Sequence, residues 1–277
     1  DFQKVKKPKN KGRIDLVTKT DIECEKIIKS IIKAKYPKHC ILAEESGNEY
    51  QKSEYLWVID PIDGTTNFVH GCPPFSISVG LYSNNSPLIS LVLELPLMRL
   101  YTAISGKGAW CEGEPIKCSK TSDVLTSLLA TGFSYKQDKK WDLNMLLFKK
   151  LTRESQGVRR FGSAALDICY VADGRLDGFW EFNLQPWDTA AGILIAKEAA
   201  KEAPRLAPII DTVAKLQVRL NKPQVAAETY AYLLQIDPTN INAMTALALL
   251  YADELNEPTR AIVFAERARS QSPRSPE

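Results

Sequence analysis

The sequence predicts a mixed α/β domain followed by an all-helical segment. Three observations carry that expectation: apolar strands that run out into acidic residues, alternating segments between residues 75 and 111, and loss of strand signals beyond Pro204. A chain of 277 residues, 44% hydrophobic, has room for one large domain or two smaller ones. Its boundaries read as a basic tail over residues 1–12, an α/β domain over 13–203 and a helical segment over 204–277.

Composition narrows the function classes. The net charge is only +3, and the basic residues at the start (Lys4, Lys6, Lys7, Lys9, Lys11) read as a solvated tail, so nucleic acid is not an expected partner. No apolar run reaches membrane-spanning length and no signal-peptide pattern precedes the first helix, so a soluble protein is expected. Cys24, Cys40, Cys72, Cys111, Cys118 and Cys169 are dispersed without a C-x-x-C pair, which is the pattern of thiols in a reducing cytoplasm.

Residues 13–21 lead into a helix whose Ile22, Ile27, Ile28, Ile31 and Ile32 recur at helical spacing, with Asp21 at its start in a capping position. Cys40 to Ala43 reads as a short strand ending in Glu44-Glu45-Ser46-Gly47. Tyr55 to Ile59 reads as a buried strand that delivers Asp60 and, three residues on, Asp63; Pro61 is expected to force a turn between them. Gly64-Thr65-Thr66 then opens a short helix whose amides suit an anion. Hard carboxylate oxygens at two strand ends can share a cluster of Mg²⁺ ions. A bare D-x-x-D is, however, more often an acidic turn before a capped helix.

Further on, Phe75–Tyr82, Leu88–Leu95, Tyr101–Ile104 and Gly108–Cys111 read as an antiparallel meander. Trp141 to Thr152 is a helix with Leu143, Leu146, Leu147 and Leu151 on one face. Gly162-Ser163-Ala164 opens a helix over Ala164 to Ala172, where a polar ligand and close backbone packing both account for the small residues. Asp177 to Phe182 reads as a strand carrying Glu181, and Asp188 sits at the cap position of the next helix.

Ala43-Glu-Glu-Ser46, Trp57-Val-Ile-Asp-Pro-Ile-Asp-Gly-Thr-Thr-Asn-Phe-Val-His70 and Pro186-Trp-Asp-Thr-Ala-Ala-Gly192 resemble the three signature elements of the inositol monophosphatase family. The Asp15 to Asp21 lead and Gly162-Ser-Ala-Ala165 match as well, so the resemblance covers residues 10–200. It implies a layered αβαβα sugar-phosphatase-type sandwich and a Mg²⁺-dependent phosphatase acting on a small-molecule phosphate ester, inositol monophosphate first. Carried over residue by residue, it makes Glu45, Asp60, the carbonyl of Ile62, Asp63 and Asp188 ligands of two or three Mg²⁺ ions. Thr65, backed by Asp21, would orient the attacking water beside Asp63, and the Gly64 and Thr65 amides would hold the phosphate. Glu181 and the Gly162-Ser163-Ala164 turn, together with Asp188, would face the alcohol. The resemblance also implies a homodimer.

The motif match stops at Ala196-Lys-Glu-Ala-Ala-Lys-Glu-Ala-Pro204, where the family continues through a Gly-Gly turn into further strands, so the α/β domain reads as truncated at its C-terminal side. Beyond it, Leu220-Asn-Lys-Pro223 recurs as Leu255-Asn-Glu-Pro258, Ala226 as Ala261, and Asp237-Pro238 as Ser272-Pro273, an offset of 35 that resembles tetratricopeptide repeats. Such a tail points to a protein partner. The alternative function is therefore an inactive phosphatase domain fused to a helical interaction module. Limited proteolysis within residues 199–206 is expected to separate two stable fragments, and resistance there would refute an independent tail.

Overall fold

The computed structural model describes residues 9–10, 16–49, 53–200, 207–219 and 222–271. The basic tail apart from Lys9 and Asn10, Asp15, the segment 201–206 and the repeat residues Leu220, Asn221, Ser272 and Pro273 lie outside the described residues. The chain divides into two units: residues 1–120 with 127–203, and residues 121–126 with 204–277.

In the first unit two short strands, β1 (Lys9–Asn10) and β2 (Leu16–Val17), pair antiparallel ahead of helix α1 (Lys19–Lys35). Thr18 is the N-cap of α1 and Asp21 its third residue, so Asp21 closes a capping box rather than capping the helix itself. An eight-stranded sheet follows: β3 (Cys40–Ala43), β4 (Gly47–Glu49), β5 (Tyr55–Asp63), then, after helix α2 (Thr65–His70), β6 (Phe75–Ser83), β7 (Ser86–Leu95), β8 (Arg99–Ile104), β9 (Gly108–Cys111) and β10 (Glu114–Pro115). Their order is β10-β9-β8-β7-β6-β5-β3-β4, and only the β3/β5 pair is parallel. The meander from β6 to β9 forms where alternation places it. Asn84 and Asn85, with φ of 47° and 63°, supply the left-handed backbone that a tight hairpin between right-twisted strands requires.

A second, three-stranded parallel sheet, ordered β12-β11-β13, is built from β11 (Leu128–Thr131), β12 (Gly157–Arg159) and β13 (Gly178–Trp180). Helices α3 (Lys139–Glu154) and α4 (Ala164–Ala172) connect these strands, and α5 (Pro186–Ala199) follows β13. On one face of the large sheet Ile41, Ala43 and Ile59 pack against Ile28 and Ile32 of α1. On the other, Val92, Tyr101, Ala103 and Ala109 pack against Ala165, Leu166 and Cys169 of α4 and Ala191, Leu194 and Ile195 of α5. With α3 against β12, the layers run α1, large sheet, α4 with α5, small sheet, α3. Helix α5 is apolar on nearly every side because it is covered by both the sheet and α4. Gly192 permits the close approach, since a Cβ there would lie 3.0 Å from Ile168.

Four local expectations need correction. Ile22, Ile27 and Ile31 are more than half exposed, because only the Ile28/Ile32 face of α1 meets the sheet. Pro61 makes no turn: β5 runs unbroken to Asp63 through a β-bulge, a position where proline's missing N–H is tolerated. Strand β13 ends at Trp180, so Glu181 lies just past the strand end. Asp188 is the third residue of α5, where it completes a capping box with Gln185.

The second unit contains α6 (Ala207–Arg219), α7 (Pro223–Ile236), α8 (Ile241–Leu249), a π-helical turn at Leu250–Glu254, and α9 (Pro258–Gln271). Consecutive helices pack on one another, α6 with α7, α7 with α8 and α8 with α9. Ala226, Tyr230, Leu233, Met244, Leu247, Tyr251 and Ala261 form its core. No helix among the described residues is long and apolar enough to cross a membrane.

Ile195 is fully buried between the large sheet and α4, so Ile195→Ala should lower unfolding stability by about 2–5 kcal/mol. All five tryptophans (Trp57, Trp110, Trp141, Trp180, Trp187) belong to the first unit, so urea unfolding followed by tryptophan fluorescence reads this loss without contribution from the helical unit.

Candidate active site

The bulge in β5 decides which way the acids face. Asp60 pairs with Ser78 and Asp63 with Ser76, three residues on β5 against two on β6. In a regular strand, residues three apart point to opposite faces; the extra residue restores parity and puts both carboxylates on the α5 side of the sheet. Gly64 follows with φ +96°, and a Cβ there would lie 2.9 Å from the Gly162 carbonyl, so glycine is required for the chain to turn into α2 beside the Gly162 loop. Asn67 of α2 ties the same two segments together, donating from Nδ2 to Pro74 O at 2.7 Å and to Phe161 O at 2.6 Å.

These segments open onto a cavity of about 800 Å³. Glu44, Asp60, Asp63 and Asp188 line it, with Ile62, Gly64, Thr65, Gly162, Ala164 and Glu181 also on its wall. Of the residues expected from sequence, Asp21 and Ser163 stand behind this lining rather than in it, and each holds a residue that is. Thr65 Oγ1 donates its proton toward Asp21 Oδ1 at 3.0 Å, with Ile62 O at 3.1 Å as a second acceptor. Asp21 is fully buried and its Oδ2 accepts from the Thr18 amide at 2.9 Å and from the Thr18 hydroxyl. Asp63 Oδ2 accepts from Ser163 Oγ at 2.6 Å and from the Ala165 amide at 2.7 Å, so a different element caps the first turn of α4, whose N–H groups have no partner within the helix.

Glu45, expected as a ligand, is not on the cavity wall; Glu44 is. Side-chain alternation accounts for the exchange. Ile41 and Ala43 face α1, and just past the strand the Glu45 amide donates to Glu25 Oε2 of α1 at 2.8 Å. Glu44 continues the opposite face, toward Asp60, and its amide extends the ladder by bonding Ile59 O at 3.2 Å.

Burial and mutual repulsion raise the proton affinity of the acids. Asp60 lies well above the ordinary carboxylate range, through burial first and then the charges of Glu44, Asp63 and Asp188, and it shares a hydrogen bond with Glu44. Asp63 is pushed up to about 6 by burial, against the opposing hydrogen bonds from Ser163 and the α4 amides. Asp188 is pushed up to about 7 by burial and then by Asp63, with the bond from the Gln185 amide at 2.6 Å acting in the other direction. Glu181 is pushed up to about 7 by burial, with Arg160 opposing and Asp63 reinforcing.

Sequence reading singled out neither Arg160, which lines the cavity, nor Asp167, which is buried on α4 with Oδ1 making no hydrogen bond among the described residues. A solitary charged residue in a loop or helix carries no pattern by which sequence can mark it. Gly132, also unmarked, leaves room for Glu181: a Cβ there would fall on its carboxylate.

The donor set suits a hard cation. Carboxylate oxygens and the Ile62 carbonyl are the ligands Mg²⁺ takes, and the acids repel one another in a way that bound cations relieve. Among the described residues no three His, Cys, Asp or Glu side chains stand in a ready-made coordination arrangement. The hydrogen bonds explain why: Asp60 bonds Glu44 and the Ile62 amide, Asp63 bonds Ser163 and Ala165, and Asp188 bonds Gln185. Asp188 accepts the Gln185 amide through Oδ2, and Ser163 and the Ala165 amide both bond Oδ2 of Asp63.

Comparison with known proteins gives a consistent result. A family model described as the inositol monophosphatase family matches residues 2–234, beyond the motif-based limit near residue 200 and into α7. The chain is similar to a chloroplastic phosphatase, IMPL1, of Arabidopsis thaliana, 46% identical over 215 residues, covering 74% of this chain and 58% of the relative. An inositol-1-monophosphatase of Synechocystis is 47% identical over 198 residues, 71% of this chain and 69% of its own. Among solved structures, the extragenic suppressor protein suhB of Bartonella henselae superposes with a TM-score of 0.68 at 37% identity, covering 72% of this chain and 77% of that one. The chain thus spans under two thirds of the length of its Arabidopsis relative.

In metal-free protein the folded chain holds protons on Glu181, Asp188 and Asp63 that the unfolded chain releases. The stability these groups contribute is fully present below the ordinary carboxyl range and is lost as pH rises through about 7. Glu181→Gln should flatten this decline, checked in EDTA by comparing the urea midpoints of variant and wild type at pH 5 and pH 8. An unchanged slope would contradict a raised Glu181.

Proposed function

This chain belongs to the inositol monophosphatase family, and on that premise we propose that it hydrolyses the phosphate monoester of a small polyol, inositol monophosphate first, with Mg²⁺ as cofactor. The observation that carries this reading is the convergence of Glu44, Asp60, Asp63 and Asp188 on one cavity beside the Thr65–Asp21 pair. Those four acids with the Ile62 carbonyl would hold two or three Mg²⁺ ions; Glu44 takes the place that the sequence assigned to Glu45. Such ions, when bound, supply Lewis-acid polarisation of the phosphate and make water nucleophilic near neutral pH.

The remaining roles belong to the chain's own groups. Thr65 Oγ1 donates its own proton to Asp21, which leaves its lone pairs to accept a hydrogen bond from the attacking water and aim it at phosphorus. Buried Asp21, held by Thr18, keeps that direction fixed and would receive the Thr65 proton at Oδ1 as Thr65 Oγ1 takes the one the water loses. The Gly64 and Thr65 amides hold the phosphate. Glu181, with the Gly162-Ser163-Ala164 turn, binds the hydroxyls of the alcohol; Ser163 contributes indirectly, through Asp63.

The tail reads as two helical hairpins of one 35-residue repeat that bind a protein partner. Pro223 and Pro258 each begin the second helix of a hairpin, and Ala226 and Ala261, three residues into those helices, are buried in one core. That ordered core favours a second reading, in which the chain works chiefly through its helical unit and the phosphatase domain is inactive. Six cysteines outside any disulfide support a reducing compartment such as the cytoplasm, and a homodimer is the assembly expected from the family.

Purified protein should release phosphate from inositol 1-phosphate only when Mg²⁺ is present. Asp60→Asn and Glu44→Gln should each lower kcat by about 10²-fold or more, the scale of losing a principal electrostatic group, while Glu45→Gln should have a much smaller effect. Well-folded protein that releases no phosphate from inositol 1-phosphate or other sugar phosphates would overturn the enzymatic reading in favour of the second.

A further inference from the structure

Helix α1 presents a row of charged side chains to the active-site strands at a spacing of one turn. Asp21, fully buried, meets Thr65 just past the end of β5. Glu25, four residues on and 4% exposed, reaches a different strand end: its Oε2 accepts from the Glu45 amide at 2.8 Å, just past β3. Lys29, four further, donates to Ser46 Oγ at 2.8 Å, pairs with Glu49 of β4 and lies 3.9 Å from Glu25. Lys33 completes the row, 3.4 Å from Glu49. Residues at i, i+4, i+8 and i+12 share one helix face, so a single rigid element holds both strand ends that supply the acids.

We propose that Glu25 is a positioning residue for the metal site, acting through the Glu45 backbone to keep the Glu44 carboxylate turned toward Asp60. The inference rests on the phosphatase reading above. Its physical basis is local. The turn 44–46 has to present the Glu44 carboxylate to Asp60, and a buried carboxylate bonded to the next residue's amide secures that peptide's orientation. Without this acceptor the Glu45 amide, directly after the ligand residue, loses its bond to α1. Asp21 and Glu25 thus divide the work of one helix face: Asp21 orients the hydroxyl that meets water, and Glu25 orients the backbone that carries a ligand.

The test is direct metal binding, with Mn²⁺ as probe followed by electron paramagnetic resonance on the full chain, alongside phosphate release. Glu25→Ala should weaken Mn²⁺ binding by about 10- to 100-fold, the range typical of lost supporting contacts around a metal site. Glu25→Gln keeps an acceptor oxygen and should recover most of that loss. Asp21→Asn should lower kcat with Mn²⁺ affinity unchanged, and Glu23→Gln, whose exposed side chain pairs only with Lys19 among the described residues, should change neither. If Glu25→Ala fails to fold, Glu25→Asp withdraws the carboxylate by one methylene and carries the same expectation. Wild-type Mn²⁺ affinity in folded Glu25→Ala or Glu25→Asp, or a Glu25→Gln as impaired as Glu25→Ala, overturns the proposal while leaving the phosphatase reading intact. Wild-type protein that neither binds Mn²⁺ nor releases phosphate overturns both.

Discussion

The site depends on one irregularity in one strand. Asp60 and Asp63 would point to opposite faces of a regular β5, and no cavity would hold them both. The bulge at Pro61-Ile62 changes that parity at the loss of a regular ladder step, and proline suits the place because its missing N–H is not asked to pair. The consequences propagate outward. Asp63, turned inward, can cap α4; Gly64 can turn under the Gly162 carbonyl; and Thr65 arrives within hydrogen-bonding distance of Asp21.

Gathering buried acids in one cavity is unfavourable by itself, and the fold offsets only part of the repulsion. Each carboxylate receives donors from neighbouring elements: the Ile62 amide for Asp60, Ser163 and α4 for Asp63, the Gln185 amide for Asp188. Those bonds oppose burial without cancelling it, which is why Asp63 and Asp188 still sit near 6 and 7. A site whose charges are only half compensated by protein is suited to cations, and its geometry is imposed by the packing of α1, α4 and α5 around it.

The second unit is organised by a different rule. Among the described residues its helices carry no buried charge cluster; they share a core of alanine, leucine and tyrosine, with Gln217 of α6 bonded to Thr229 of α7 at 2.7 Å. The family match that continues to residue 234 crosses from the first unit into this one, so the boundary in family similarity and the boundary in structure fall at different places.

Wherever local patterns are strong, the sequence by itself determined the outcome: the β6 to β9 meander from alternation and the α4 and α5 starts from small residues and Pro186; its motifs also pointed to Asp60, Asp63, Thr65, Glu181 and Asp188, which lie on one cavity wall, and to Asp21 behind Thr65. Only tertiary structure decided which of two adjacent glutamates faces the cavity, because that depends on what packs on each face of β3: α1 covers the Ile41 and Ala43 face, and Glu44 meets Asp60 on the other. It also decided that Pro61 bulges rather than turns, and that Arg160 and Asp167 belong near the acids. Parity along a strand and proximity across a cavity are set by pairing between distant segments, and no run of neighbouring residues encodes them alone.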